Sequence, residues 1–318
     1  MIVTLTPNPG LDRTVEIERL RRGEVNRALG GRVDPGGKGV NVSRALAAGG
    51  IATVAVLPSG GPEGAQLSAL LAPIGVQVVQ VPIAGSLRSN ITVVEPDGTT
   101  TKLNESGPEL STDEVRAIER AVVGAAGNAA WVVGAGSLPR GVDAGFYAEL
   151  VSVLRDTGDH RARVCIDGSG LPLARAVDAG PDLIKPNTEE LAELVGRPLR
   201  RLGDVVDAAA DVRKRGVDTV LVSLGADGAL LAGPGEVLHG WAPPVRVRST
   251  VGAGDAMLAG FLAGGGRGRS ALVAALAYGT AAVGLPGSAM PRPSDLDLDV
   301  VVVTDELDLD RALGGTPT

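Results

Sequence analysis

Short apolar runs alternate along the chain with longer stretches in which apolar residues recur every three or four positions. The short runs predict buried strands, and the longer stretches predict helices. Strands are expected at 2–5, 53–57, 76–81, 130–133, 164–167, 182–184 and 219–224. Helices are expected at 40–48, 63–71, 112–122, 144–155, 188–195, 205–215, 255–263 and 270–283. This alternation predicts an α/β fold with a doubly wound, mostly parallel sheet and helices on both faces.

Two polar segments, 14–33 and 86–104, interrupt the alternation. Apolar and polar residues alternate in both, and Pro96-Asp97-Gly98 supplies a turn in the second segment. We expect a small separate β-sheet that projects from the α/β body as a lid. The alternative is that both segments add edge strands to the main sheet. The chain is expected to form one domain, 1–318, whose tail after Thr304 holds a short helix and a loose end.

Composition narrows the classes of function that the chain can have. Hydrophobic residues make up 44% and aromatic residues only 2% of the 318 residues, so the core must be aliphatic, which suits a parallel sheet covered by helices. The formal net charge of −7 gives no general attraction to nucleic acid or to an anionic membrane. The apolar run 271–285 is shorter than the ~20 residues of a membrane span, so it predicts a buried helix.

Cysteine and histidine are too scarce for several kinds of site. Cys165 is the only cysteine, so no internal disulfide can form, and a reducing cytoplasm is expected. The chain opens directly on the β-like run 1–5, which predicts no leader peptide. His160 and His239 are the only histidines, and neither lies in a motif. Histidine-based catalysis and a zinc site are therefore not expected.

The most informative motif is Gly252-Ala253-Gly254-Asp255, which follows the extended run 245–248 and opens a predicted helix. Glycines at the start of a helix let backbone N–H groups point together at an anion, assisted by the helix dipole. In a kinase that anion is the γ-phosphoryl group in transit, and Asp255 could accept the proton of the attacking hydroxyl. The plainer alternative is that Asp255 caps the helix while the glycines form a turn.

Two other glycine-rich loops come close to nucleotide-binding motifs without matching them. The loop Asp-Pro-Gly-Gly-Lys-Gly-Val-Asn at 34–41 has Gly39 where a P-loop needs serine or threonine, and Arg32 where it needs glycine. It can be a plain turn, or it can admit a polar ligand, with Lys38 and Asn41 as contacts. The loop 134–139 misses the dinucleotide fingerprint because Pro139 occupies the third glycine position, which disfavours a nicotinamide enzyme.

Six motifs follow one another in a characteristic order. They are Asn-Pro-Gly-Leu-Asp at 8–12, Pro-Gly-Gly-Lys-Gly-Val-Asn-Val at 35–42, Gly-Ser-Leu-Pro at 136–139, Lys-Pro-Asn-Thr-Glu-Glu at 185–190, Val-Ser-Leu-Gly at 222–225 and Ser-Thr-Val-Gly-Ala-Gly-Asp at 249–255. As a set they resemble the PfkB-type, ribokinase-like carbohydrate kinases, and most of all the branch of the 1-phosphofructokinases and tagatose-6-phosphate kinases. The resemblance extends from Ile2 to about Ser288.

This resemblance implies a role for each motif. Catalysis would fall to the base Asp255 and to an anion hole of Gly252, Ala253 and Gly254. Substrate binding would fall to Asp12, Gly37, Lys38, Asn41, Arg88 and Ser137. Nucleotide binding would fall to Lys185, Asn187, Ser223, Gly225 and Gly228. The cofactors would be ATP and Mg²⁺, with Glu190 contacting the metal through water and a monovalent cation as an option.

The activity implied is ATP-dependent phosphorylation of a ketohexose phosphate, first of all D-fructose 1-phosphate at its 6-hydroxyl. Arg88 and Lys38 support a phosphorylated sugar, because cations best match a doubly charged phosphate. Tagatose 6-phosphate and fructose 6-phosphate are alternative substrates. The alternative of a different class is a non-catalytic sugar-phosphate sensor, which would have no need of a base such as Asp255. The resemblance also implies a homodimer formed through the lid sheet, with no nucleic-acid or membrane partner.

Overall fold

The computed structural model of the protein describes residues 1–156 and 162–314. Its strands are β1 (Ile2–Leu5), β2 (Gly10–Glu16), β3 (Gly30–Gly36), β4 (Thr53–Ser59), β5 (Gln77–Pro82), β6 (Arg88–Val94), β7 (Thr100–Asn104), β8 (Trp131–Ala135), β9 (Arg163–Asp167), β10 (Leu183–Ile184), β11 (Thr219–Ser223), β12 (Ala229–Gly233), β13 (Glu236–Trp241) and β14 (Val302–Thr304). Its helices are α1 (Lys38–Ala48), α2 (Gly61–Leu71), α3 (Thr112–Ala126), α4 (Phe146–Asp156), α5 (Gly170–Asp178), α6 (Thr188–Val195), α7 (Leu202–Lys214), α8 (Ala253–Ala263) and α9 (Gly268–Val283). Every strand and helix predicted within residues 2–283 has a counterpart within a few residues. Helix α5 was not predicted, because Gly170 and Pro172 obscure its short apolar pattern.

The large sheet is mostly parallel, as predicted. Within the described residues it has ten strands in the order β14-β13-β12-β11-β10-β9-β8-β1-β4-β5. The pairings from β5 to β11 are parallel, whereas β12, β13 and β14 form an antiparallel edge. The chain winds outward from β1 in both directions, which is the doubly wound arrangement. Because parallel strands share one direction, the loops that follow them open at the same edge of the sheet.

Apolar side chains alternate between the two faces of this sheet and build the two larger of three apolar clusters buried among the described residues; the third lies between β4 and α2. Val132 in β8 belongs to the core covered by α3, α4, α5 and α7, whereas its neighbour Val133 belongs to the core covered by α1, α8 and α9. Tyr147 and Phe261 are the largest fully buried side chains, one in each core. Helices α1 and α8 contact each other on one face of the sheet, which matters for the site described below.

The polar segments form a separate small sheet rather than edge strands of the large one. In the described part of the chain this small sheet has four strands in the order β3-β2-β6-β7, with β2 parallel to β6 and antiparallel to β3. It begins at Gly10, four residues before the predicted segment. A Cβ atom at Gly10 would lie only 2.6 Å from the Arg88 carbonyl oxygen, so glycine allows the two strands to approach closely here.

The prediction of a short helix after Thr304 is wrong for the described residues. From 305 to 314 the chain forms turns and a bridge between Arg201 and Ala312. Side chains compete with helical hydrogen bonding here, because Thr304 Oγ1 accepts from the Glu306 N–H at 3.0 Å. The segment also supplies partners to the buried carboxylate of Asp227, which accepts from Arg311 at 3.1 Å and from the Gly314 N–H at 2.7 Å.

The apolar run at 271–285 lies in and just beyond α9, which is the buried helix expected from its length. None of the helices within residues 1–156 and 162–314 is long and apolar enough to cross a membrane. His239 is buried, and its Nε2 lies 2.9 Å from the Asp227 carbonyl oxygen, so it is engaged in the packing of β13. His160 lies outside the described residues.

Candidate active site

Polar side chains follow several parallel strands at the edge where those strands end. Asp167 is the last residue of β9, Lys185 follows β10, and Ser137 follows β8. Asp167 is fully buried and Lys185 is only 4% exposed, although both carry charge. Because the carboxyl ends of parallel strands meet at one edge of a sheet, residues far apart in the sequence face the first turns of α1 and α8 there.

The glycine loop leads directly into α8. Gly252 is the N-cap residue with a φ of 78°, which lies in the left-handed region that suits glycine. The Ala253 N–H contacts the Thr250 carbonyl at 3.4 Å, whereas the N–H groups of Gly254 and Asp255, in the first turn, have no acceptor inside the helix. Asp255 stands in that turn and is 7% exposed. The loop therefore presents backbone donors and a buried carboxylate side by side.

Asn41 holds Asp255 from the neighbouring helix α1. Its Nδ2 donates to Asp255 Oδ2 at 2.9 Å, and its Oδ1 accepts from Arg44 Nη1 at 2.9 Å. Burial and the nearby negative charge of Asp167 raise the pKa of Asp255 to about 6, although the Asn41 hydrogen bond and two nearby lysines act in the opposite direction. At neutral pH this carboxylate is ionised and is more basic than an exposed aspartate.

Lys38, Lys185, Asp167 and Glu190 form an ion cluster beside the glycine loop. Lys38 Nζ lies 2.8 Å from Asp167 Oδ1 and 3.6 Å from Glu190 Oε1, and Lys185 Nζ lies 3.2 Å from Asp167 Oδ2. Burial alone would raise the pKa of Asp167, but the two ammonium groups outweigh it and lower that pKa. A Cβ atom at Gly254 would lie 3.4 Å from Lys185 Nζ, so the cluster borders the loop directly.

The start of α1 packs tightly on the end of β1. Gly37 is the N-cap residue with a φ of 120°, and a Cβ atom there would lie 2.7 Å from Thr6 Cγ2. A Cβ atom at Gly39 would lie 2.6 Å from Thr6 Oγ1. Glycine at both positions therefore lets the helix approach the strand, and this approach brings Lys38 and Asn41 to the site.

Asp12 and Arg88 lie on β2 and β6 of the small sheet. Asn90 Nδ2 donates to Asp12 Oδ1 at 2.9 Å. Burial raises the pKa of Asp12, although Asn90 and Arg88 act against this rise. Arg88 donates to the Glu105 carbonyl at 3.3 Å, and its Nε is buried without a hydrogen-bond partner among the described residues. This guanidinium therefore has hydrogen-bonding capacity that the described residues do not use.

Ser137 lies where three segments meet. Asn8, which follows β1, donates from Nδ2 to the Ser106 carbonyl at 3.0 Å and to Ser137 Oγ at 3.4 Å. Asn8 is 4% exposed, and its Oδ1 has no hydrogen-bond partner within the described residues. The amide thus ties the loop after β7 to the loop after β8, so that Ser137 lies close to the small sheet.

Asn187 and Glu190 form a capping box at the start of α6. Asn187 Oδ1 accepts from the Glu190 N–H at 2.7 Å, and Glu190 Oε2 accepts from the Asn187 N–H at 2.9 Å. Ser223 pairs with Asn187 through a β-bridge, which joins the ends of β10 and β11. Gly225 and Gly228 shape the next turn with φ values of 62° and 92°. A Cβ atom at Gly228 would meet the backbone of β13 at 2.0 Å, so this glycine is required for packing.

The sequence pattern of the pfkB family of carbohydrate kinases matches residues 11–294. The chain belongs to this family. Its class as a phosphotransferase with an alcohol acceptor is thereby confirmed. The match covers the two strands of the small sheet that carry Asp12 and Arg88, the start of α1 and the glycine loop of α8.

Individual relatives of this pfkB-family chain carry two different phosphofructokinase names. It is 38% identical over 266 residues to a 1-phosphofructokinase of Rhodobacter capsulatus, which covers 82% of each chain. It is 37% identical over 303 residues to an ATP-dependent 6-phosphofructokinase isozyme 2 of Mycobacterium tuberculosis, covering 93% of this chain and 88% of that one. Phosphofructokinase-2 from Escherichia coli, solved in complex with potassium, superposes with a TM-score of 0.86 at 34% identity and covers 92% and 96% of the two chains. The predicted ribokinase-like fold is confirmed.

Several residues at the site of this pfkB-family protein were missed by sequence reasoning. Asp167 was read only as the last residue of a buried strand. A charged residue that ends an apolar strand of a parallel sheet lies at the edge where ligands bind, and this position was a usable signal. Asn90 gave no local signal, because its partner Asp12 lies on another strand, whereas Arg44 lies one turn after the predicted site residue Asn41 on the same helix, and this spacing was a usable signal. Asn8 was part of a predicted motif but had no role assigned to it.

Proposed function

We propose that this pfkB-family kinase transfers the γ-phosphoryl group of ATP to the 6-hydroxyl of D-fructose 1-phosphate, which gives fructose 1,6-bisphosphate. The observation that carries the proposal is the buried carboxylate of Asp255, held by Asn41 at 2.9 Å at the mouth of the glycine loop. Asn41 takes one carboxylate oxygen, and the other has no hydrogen-bond partner among the described residues, so it can accept from a substrate hydroxyl.

Asp255 acts as the general base in the proposed mechanism. The hydroxyl oxygen attacks phosphorus, the bond from phosphorus to the leaving nucleotide oxygen breaks, and the hydroxyl proton passes to the Asp255 carboxylate. A base with a pKa of about 6 is ionised at neutral pH and can still be protonated during turnover. The transition state of phosphoryl transfer is loose, so the proton can leave late and a modest base is sufficient.

The glycine loop and the ion cluster stabilise the charge that moves during transfer. The N–H groups of the first turn of α8, including those of Gly254 and Asp255, face the transferred group at the positive end of the helix dipole. Lys185 borders this loop, and Lys38 lies on the opposite side of Asp167. Because Asp167 fixes both ammonium groups, their charges are already in position when the phosphates bind.

Lys185, Asn187, Ser223, Gly225 and Gly228 form the nucleotide side of the proposed site. Asn187 uses its oxygen in the capping box and keeps its amide donor. Gly225 and Gly228 contribute backbone shape, which lets a nucleotide approach the turn closely.

The donor set fits a magnesium ion that is bound mainly by nucleotide phosphates and water. No group of three or more His, Cys, Asp or Glu side chains within residues 1–156 and 162–314 is placed to hold a metal. Glu190 offers Oε1, which the capping box leaves unused, and one carboxylate reached through water is a normal protein contribution to Mg²⁺. When bound, the ion neutralises phosphate charge. A monovalent cation is a further optional ligand, because the E. coli relative was solved in complex with potassium.

The preference for a phosphorylated sugar rests on the cations Arg88 and Lys38, whereas Asp12 would bind a hydroxyl group of the sugar. Arg88 has a buried Nε donor without a partner among the described residues, which suits the phosphate that the sugar already carries. Asp12, whose Oδ1 is occupied by Asn90, can accept from a sugar hydroxyl through Oδ2. Gly37, Lys38, Asn41 and Ser137 complete the proposed substrate side. Fructose 6-phosphate and tagatose 6-phosphate remain alternative acceptors, the first because of the relative in M. tuberculosis.

We further propose that the small sheet is a lid of one kinase domain and forms a homodimer with a second copy. The loop between β2 and β3 exposes Val25 (81%) and Leu29 (71%), and β7 exposes Leu103 (58%). Exposed apolar groups on and beside a sheet outside the main core favour burial against a partner. ATP and a sugar phosphate as substrates favour a cytoplasmic location.

An assay of ADP release tests the proposed function with fructose 1-phosphate, fructose 6-phosphate, tagatose 6-phosphate and unphosphorylated sugars. We expect the highest kcat/KM with fructose 1-phosphate. A higher value with another ketohexose phosphate would overturn the substrate assignment and keep the kinase. Tight binding of a sugar phosphate without any turnover would instead favour the sensor on the same fold.

A further inference from the structure

Arg44 is a buried cation that the mechanism above does not use. It lies on α1 one turn after Asn41 and is 7% exposed. Its Nη1 donates to Asn41 Oδ1 at 2.9 Å, to the Pro35 carbonyl at 3.2 Å and to Ser288 Oγ at 3.4 Å. These acceptors are all neutral oxygens. Burying a guanidinium against neutral acceptors is expensive, so its position calls for a functional explanation.

The carboxamide of Asn41 lies between two charged groups of opposite sign. Its NH₂ group faces the Asp255 carboxylate, and its oxygen faces the Arg44 guanidinium. If the amide turned over, its oxygen would face the carboxylate and its NH₂ group would face the guanidinium. Both contacts would then be repulsive. Arg44 therefore permits one orientation of the amide, and this orientation offers a donor to Asp255.

We infer that Arg44 is a positioning residue for phosphoryl transfer, which fixes the Asn41 amide so that Asp255 is held with one oxygen free for the substrate hydroxyl. The inference rests on the proposed role of Asp255 as the base. Pro35 belongs to β3 of the small sheet. The Arg44 guanidinium therefore links the end of β3, through Asn41, to the proposed base Asp255.

Several charged groups around Asp255 and Arg44 must be separated from this effect. The pKa of Asp255 is raised by Asp167 at the end of β9 and lowered by Lys185 after β10 and by Lys38 on α1. Arg44 is influenced by Asp34 and Asp12 on the small sheet and by Asp255 itself. The Asn41 hydrogen bond lowers the pKa of Asp255, whereas burial raises it. Loss of the oriented donor must therefore raise that pKa further.

A double-mutant cycle distinguishes orientation through Asn41 from a direct effect of the Arg44 charge. The titration of Asp255 is followed by ¹³C-carboxyl NMR of aspartate-labelled protein, with Asp255→Asn used to identify the resonance. Arg44→Met is expected to raise the titration midpoint by about one unit, since a hydrogen bond to a charged group is lost in part. In an Asn41→Ala background, adding Arg44→Met is expected to cause a clearly smaller shift, because only the direct effect of the Arg44 charge on Asp255 is then lost. An equal shift in both backgrounds, or no shift from Arg44→Met alone, would overturn the inference.

Arg44→Gln provides a second test in case Arg44→Met does not fold. Glutamine keeps a donor for Asn41 Oδ1 but carries no charge. A midpoint close to that of the wild type supports orientation by hydrogen bonding, whereas a midpoint as high as expected for methionine contradicts it. Arg163→Met is the matched control. Arg163 stacks on Trp131 at 4.1 Å and begins β9, at the end of the strand away from the site residue Asp167. This substitution is expected to leave the Asp255 titration unchanged.

Kinetics give an independent measurement of the same effect. Arg44→Met is expected to lower kcat about 10- to 100-fold at neutral pH with little change in the KM for ATP, because the base is displaced while the nucleotide contacts persist. The NMR titration does not require turnover. If the protein phosphorylates no sugar phosphate, the proposed function fails while the titration still decides the role of Arg44.

Discussion

Asn41 Nδ2 and Asp255 Oδ2 are joined by a 2.9 Å hydrogen bond across 214 positions of the sequence. The bond connects the first turns of α1 and α8, whose glycine-containing N-termini face the same edge of the large sheet. It orients a carboxylate that burial makes more basic, and it leaves one oxygen unbound. This single contact links the motif at 35–42 with the motif at 249–255 and underlies the kinetic predictions.

Asp255→Asn removes the proposed base while it keeps the size of the side chain. We expect kcat to fall by at least ~10²-fold, because general-base catalysis contributes about this much. In the wild type, kcat should fall as the pH drops below about 6, since protonation of Asp255 abolishes the base. The measurement is kcat from pH 5 to 9. Near-normal turnover of the variant would remove Asp255 from this role.

The same substitution should stabilise the folded protein at neutral pH. The pKa of Asp255 is raised to about 6 in the native state, against an ordinary value near ~4 in the unfolded chain. A raised carboxyl pKa means that stability is lost as the pH rises from about 4 to about 6, so the ionised group is a net cost at pH 8. Asp255→Asn should therefore increase the free energy of unfolding by about 1–3 kcal/mol at pH 8.

Urea unfolding at pH 5 and pH 8 tests this stabilisation. The increase in the free energy of unfolding caused by Asp255→Asn should be about half as large at pH 5 as at pH 8, because the wild-type Asp255 carboxyl is then largely protonated in the native state. Asp299→Asn, at an exposed position, is the control and should change the free energy of unfolding little at either pH. A destabilised Asp255→Asn protein at pH 8 would contradict the raised pKa.

Arg88→Ala should weaken the binding of the sugar phosphate more than the binding of ATP. Loss of a charge-assisted contact to phosphate is expected to raise the KM for the sugar phosphate at least ~10-fold, with a small change in the KM for ATP. Arg19→Ala is the matched control, since Arg19 is an exposed arginine at the far end of the small sheet. Equal effects of Arg88→Ala on both substrates would contradict its assignment to the sugar phosphate.

The strand and helix pattern could be predicted because it depends on local periodicity. The large sheet, its two covered faces and the glycine loop of α8 all follow from residues adjacent in the sequence. The small sheet was predicted as a separate unit, but its start at Gly10 depends on the close approach to Arg88, which is a tertiary contact. The tail was predicted as helical, whereas Asp227 draws it into hydrogen bonds with the body of the protein.

The chemistry of the site could be predicted only where all the interacting residues belong to one sequence motif. Asp255 and its glycines are contiguous, so their relationship can be inferred from the chain itself. The ion pair between Lys38 and Asp167 spans 129 positions, and neither residue indicates its partner. Lys38 was predicted to bind substrate; what the structure shows is its ion pair with the buried Asp167 and its approach to the half-buried Glu190. Pairing across such distances depends on which strands become neighbours.

The ion cluster gives a last prediction, which concerns stability. Asp167 is fully buried between Lys185, whose side chain is 5% exposed, and Lys38, whose side chain is 35% exposed. Asp167→Asn would leave two ammonium groups without their shared counter-ion, so we expect a loss of about 3–5 kcal/mol in the free energy of unfolding. Lys38→Met should lower the free energy of unfolding by only about 1 kcal/mol, because Lys185 still pairs with Asp167 and Lys38 is partly solvated.

Urea unfolding of both single variants and of the double variant measures these values. Combining Lys38→Met with Asp167→Asn should recover part of the loss caused by Asp167→Asn, since one of the two unpaired cations is then removed. Asp178→Asn is the matched control, because Asp178 pairs with Arg215 at 2.8 Å on the surface and its side chain is 65% exposed. That control should cost at most about 1 kcal/mol. If Asp167→Asn costs no more than Asp178→Asn, the buried cluster does not contribute to stability as argued, and its charges would then serve ligand binding alone.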